Sequence, residues 1–121
     1  MILVDTSVWF DHLRLGNAGL ARLLDGGEAM SHPFIVGELA LGNLRRRGEI
    51  LGAMRELPHV HIATDPEVLH FIDESALFGD GIGYIGAHLL ASLRLTPGTR
   101  LWTKDRRLHA VAEQLDLAMP A

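Results

Sequence analysis

Cysteine is absent from this 121-residue chain, so no disulfide and no thiolate metal site can hold it together, and the composition is compatible with a reducing cytosol. Long apolar runs are also missing. The opening Met1-Ile2-Leu3-Val4 stops at Asp5, too short for a signal peptide or for the ~20 apolar residues of a membrane span, so a soluble cytoplasmic protein is expected. An excess of positive charge is lacking too. The formal charge of −4 excludes a protein that holds nucleic acid by bulk electrostatics and confines any such contact to a local patch. Positive charge gathers at Arg45-Arg46-Arg47 and at Lys104, Arg106 and Arg107; taken alone, each cluster reads first as a solvated helix face.

What is present is an ordinary globular composition, 48% hydrophobic, with no repeat or linker. The length suits one domain, residues 1–121, with a real core. Ile2 to Val4 is a buried-strand pattern that runs into capping residues and a helix. Strand candidates recur at Ala29 to Ser31, Val60 to Ile62, Arg100 to Trp102 and Leu117 to Met119, separated by helical stretches. Pro33 opens a helix expected over Phe34 to Leu44, and Thr64-Asp65-Pro66-Glu67 has capping-box spacing, which explains its acids structurally. Helices are also expected from Ile85 to Leu95 and from Arg106 to Leu115. This alternation predicts an α/β fold: a small, mostly parallel sheet of about five strands with helices on both faces.

In such sheets ligands collect at the carboxyl ends of the strands, where strand order reverses. Asp5 and Asp105 each follow a strand candidate, so both point into one crevice if those strands are neighbours; singly, each reads as a helix cap. Glu38 is the third acid of interest, set on a largely apolar helix face with Phe34, Ile35, Leu41 and Gly42 at three- and four-residue spacing. Carboxylates ~4 Å apart repel by roughly 4 kcal/mol at an effective dielectric near 20, and a divalent cation resolves that repulsion. Oxygen donors without cysteine or a histidine-pair motif point to Mg²⁺ or Mn²⁺ rather than zinc. His12, His32, His88 and the other histidines form no such motif, and most of the histidines are expected at the surface or the core edge. Phosphodiester hydrolysis is the natural chemistry of such a site. Thr6, Ser7 and Thr103 stand beside the acids as hydrogen-bonding partners or as helix caps.

Four segments together resemble the PIN-domain ribonucleases, and within them the VapC toxins of toxin–antitoxin pairs. They are Ile2-Leu3-Val4-Asp5-Thr6-Ser7-Val8-Trp9, His32-Pro33-Phe34-Ile35-Val36-Gly37-Glu38-Leu39-Ala40, Gly81-Ile82-Gly83-Tyr84 and Leu101-Trp102-Thr103-Lys104-Asp105-Arg106. The resemblance implies four acids around Mg²⁺, of which it carries over Asp5, Glu38 and Asp105; at the fourth position this chain has Gly86. Asp80, six residues upstream, is not the same position. Gly86 reads as a natural attenuated variant, as a mutation selected or engineered because the active toxin harms its host, or as structural tolerance; the second reading is preferred. Either of the first two implies weakened metal binding and lowered activity.

The resemblance further implies an RNA substrate, transfer RNA among the options, a cognate antitoxin and a homodimer. The three arginines from Arg45 to Arg47, with Lys104, Arg106 and Arg107, become candidate phosphate contacts. A phosphotransfer domain is the first rival, but Ser7 stands where an aspartyl phosphatase needs its second Asp. The other rival is a catalytically inactive RNA- or antitoxin-binding protein on the same fold.

Overall fold

The computed structural model describes residues 1–120. Its chain order is β1 (Ile2–Val4), α1 (Thr6–Leu15), α2 (Ala18–Asp25), β2 (Ala29–Met30), α3 (Pro33–Ala40), α4 (Arg47–Glu56), α5 (Asp65–Glu74), α6 (Tyr84–Arg94), β3 (Arg100–Trp102) and α7 (Arg106–Gln114). The α/β class expected from the alternation is what forms. β1 lies between β2 and β3 and pairs with both in parallel, Leu3 facing Met30 on one side and Leu101 on the other. Leu3, Val4 and Leu101 are fully buried, as near-continuous apolar strands covered by helices must be. Helix α1 packs on α3, α3 on α4 and α5 on α6, while α6 and α7 lie against β3.

Three strands form, not about five. The segments at Val60 and Leu117 align with the sheet but pair at one residue each, Ser31 with His59 and Leu101 with Ala118. The reason is local. Beyond Val60 the backbone turns to α6, where His61 N–H donates to Thr96 Oγ1 (2.9 Å) and Ala63 N–H to Ser92 Oγ (3.1 Å). At the other edge Leu101 N–H reaches Leu117 O (2.7 Å) and Met119 N–H reaches Leu101 O (2.8 Å), a single bridge near the end of the described residues. Helix α3 stops at Ala40 rather than Leu44. Gly42 follows, so close to the Phe10 ring that a Cβ there would sit 2.8 Å from it, and Arg47 donates two bonds to the Ala40 carbonyl (2.9 and 3.2 Å).

Most histidines are exposed or half-buried as expected, and His32 and His88 are the two that are buried. The capping box of α5 forms as expected, with Thr64 Oγ1 accepting from Glu67 N–H and Glu67 Oε1 from Thr64 N–H. Thr64→Ala is expected to cost about 1 kcal/mol, lowering the melting temperature by about 4 °C; a calorimetric scan reads it, and no shift would mean that α5 is held by packing alone.

Candidate active site

The strand order β2-β1-β3 makes the chain leave β1 toward one edge and return on the other, so the switch point lies between β1 and β3. Asp5 follows β1 and accepts α1 at its N-terminus; Asp105 follows β3 by two residues and caps α7. Asp5 N–H donates to Trp102 O (2.9 Å), which locks the two strand ends side by side. Glu38 comes from α3, whose contact with α1 turns it toward the same place. Asp5, Glu38 and Asp105 line one cavity of about 240 Å³, together with Thr6 and Gly86. Its opposite wall is apolar, from Ile82, Leu89 and Leu108.

The side chains around Asp5 form a small network. Thr103 Oγ1 donates to Asp5 Oδ2 (2.7 Å), Ser7 Oγ donates to the same oxygen (2.9 Å), and Thr6 Oγ1 lies 3.4 Å from Oδ1. Thr103 and Ser7 are in turn held by backbone amides: Asp105 N–H donates to Thr103 Oγ1 (3.1 Å) and Lys104 N–H to Ser7 Oγ (3.0 Å). The loop after β3 is thereby tied to the first turn of α1. Asp105 Oδ1 accepts from Arg107 and Leu108 N–H (3.0 and 3.1 Å), so it caps α7 and faces the cavity at once. Glu38 is exposed and has no side-chain hydrogen bond among the described residues.

The donor set is oxygen only, the kind hard divalent cations take, so its chemistry fits Mg²⁺ or Mn²⁺. Among the described residues, however, no three acidic or histidine side chains stand close enough to share an ion; mutual repulsion favours that spread. Gly86 is the third residue of α6, and its missing side chain would project into the same wall. A Cβ there would meet Leu108 Cδ1 at 3.0 Å and Ile82 Cβ at 3.9 Å, so an acid at this position requires Leu108 to give by a few tenths of an ångström. Asp80 does not line the cavity.

The basic residues separate. Arg45 and Lys104 line a second, larger cavity beside the acids, whereas Arg47 is engaged at the end of α3. Lys104 pairs with Asp11 (2.7 Å), and that hydrogen bond holds the Asp11 carboxyl below the usual carboxylate range. The Arg107 guanidinium lies against Gly81, whose φ of +80° and absent Cβ permit the approach. Arg46, itself at φ +53°, and Arg106 are exposed. Sequence patterns missed the apolar wall of the acid cavity, although Leu108 and Leu89 stand at helical spacing from its other members.

A parallel α/β sheet with carboxylates gathered at its switch point defines a PIN-like class of protein. No family model matches the chain. It is 43% identical over 119 residues to Ribonuclease VapC32 of Mycobacterium tuberculosis, from strains CDC 1551 / Oshkosh and ATCC 25618 / H37Rv, covering 98% of this chain and 96% of that protein. The chain belongs to the VapC-type PIN-domain ribonuclease family. Among the described residues no helix is long and apolar enough to cross a membrane.

Proposed function

We propose that this chain is the endoribonuclease toxin of a toxin–antitoxin pair, hydrolysing RNA phosphodiester bonds with Mg²⁺, or Mn²⁺ in its place, and weakened by Gly86. The observation that carries the reading is the meeting of Asp5, Glu38 and Asp105 at one cavity, in a chain 43% identical to a ribonuclease. Those three carboxylates would hold the cation, which when bound lowers the pKa of water and offsets charge developing on phosphate. Thr103 and Ser7 hold the Asp5 carboxylate in one orientation, and the apolar wall of Ile82, Leu89 and Leu108 limits water around the reacting groups. RNA, with transfer RNA as one option, is the substrate in this reading; a cognate antitoxin and a second copy of the chain are its partners.

The test compares cleavage of a structured RNA pool by this chain and by Gly86→Asp, each with Mg²⁺ and with EDTA. We expect Gly86→Asp to cut at least about tenfold faster, on the scale by which metal-site groups affect activity, and EDTA to abolish cutting by both. Equal activity of the two proteins would mean that three acids suffice. RNA binding with no cutting by either would support the inactive, binding-only reading.

A further inference from the structure

The acid cavity is small and negatively lined, and it leaves the rest of a bound RNA strand unaccounted for. Next to it lies an open cavity of about 820 Å³. Its floor is apolar, from Phe10, Leu13, Leu44 and Ile50, and its rim carries Arg14, Arg45 and Lys104 against the single acid Asp11. In a chain of net charge −4 this is a local excess of positive charge. The two cavities share no lining residue but are neighbours through two residues of the larger one. Ser7 lines the larger one and donates to Asp5 Oδ2 (2.9 Å). Lys104 lines it as well, one residue before Asp105.

We infer that the larger cavity is a subsite for the single-stranded nucleotides flanking the bond to be cut, with a base stacked on Phe10 and phosphates on Arg14 and Arg45. The inference rests on the ribonuclease reading above and extends it to substrate form. Phe10 is 39% exposed, while Val8 and Trp9 of the same helix are buried in the core. One edge of the ring packs against Gly42, where a Cβ would lie 2.8 Å from it, and part of the ring surface stays open to the cavity. A partly exposed aromatic sharing a cavity with guanidinium groups is an arrangement that binds unpaired bases, since every base has a face to stack. Asp11 tempers the site by pairing with Lys104 (2.7 Å).

The experiment measures anisotropy of a fluorescein-labelled, unstructured oligoribonucleotide of about a dozen nucleotides, within the span such grooves bind, in EDTA to prevent cutting. Phe10→Ala is expected to weaken binding about tenfold and Phe10→Leu to weaken it nearly as much, while Phe10→Tyr stays within about twofold, because stacking needs the ring face. Arg14→Ala and Arg45→Ala should each flatten the log–log salt slope by about 1, and Asp11→Asn should tighten binding by freeing Lys104. Melting curves on every variant exclude misfolding. Parental affinity in Phe10→Ala and Arg45→Ala would overturn the subsite and leave the ribonuclease reading intact. A parent chain that binds no RNA in EDTA and cuts none with Mg²⁺ would overturn both.

Discussion

Glu38→Gln is expected to lower RNA cleavage by about a hundredfold or more, since even groups that only support metal ligands are worth 10- to 100-fold. It should leave the melting temperature within about 2 °C, the range of ordinary surface substitutions. The two halves of this prediction come from the same geometry. Glu38 lines the acid cavity, yet it is exposed, so removing its charge disturbs no folded contact. Asp5→Asn makes the contrast. Its carboxylate accepts from Thr103 and Ser7, and hydrogen bonds to a charged group contribute ~1.5–3 kcal/mol, so that variant is expected to lose stability along with activity. The measurement is initial cleavage rate beside a melting curve, in this chain and in the Gly86→Asp background. Full activity in Glu38→Gln would remove Glu38 from the site and reduce it to a solvated helix residue.

The placement of Asp5 and Asp105 at one cavity was legible in the sequence because Asp5 follows one short strand directly and Asp105 another after two residues, and a parallel sheet brings neighbouring strand ends together. Glu38 was legible as an acid on an apolar face. The strand count was not, because what ends the pairing after Val60 is a pair of hydroxyls, Ser92 and Thr96, about thirty residues downstream that take the backbone N–H groups of Ala63 and His61. The larger cavity was equally hidden. It needs α3 to end at Ala40 and Gly42 to admit the Phe10 ring, a contact across thirty-two residues that no local pattern encodes. The three adjacent arginines look alike in sequence, and only position separates Arg45 in the cavity from Arg47 on the Ala40 carbonyl.

The buried histidine pair leads to the second large effect, a loss of stability in mild acid. His32 is fully buried, with Nδ1 accepting from Phe34 N–H (3.0 Å) as the cap of α3 and Nε2 meeting Ser92 Oγ (3.2 Å). That pattern requires the neutral ring. Burial first, then the nearby His88 and His59, pushes its pKa down to about 4. His88 packs edge-on at 5.4 Å from α6, and the nearest carboxylate to that second ring, Asp65 on α5, lies 3.8 Å from His88 Nε2 and is largely exposed. The unfolded chain takes up a proton near pH 6.5 and the folded one only near pH 4. Unfolding therefore binds protons between those values, and stability is complete above about pH 6.5 and falls as the pH drops toward 4. At 1.36 kcal/mol per unit, the loss from pH 7.5 to 4.5 is on the order of 2–3 kcal/mol. His32→Asn keeps an acceptor for Phe34 N–H and has nothing to protonate. Urea unfolding at both pH values should show that variant less stable at pH 7.5, where it lacks the Ser92 contact and leaves a gap, and losing on the order of 2–3 kcal/mol less than the parent on acidification. An equal acid loss in the two proteins would place the pH dependence on the carboxylates instead.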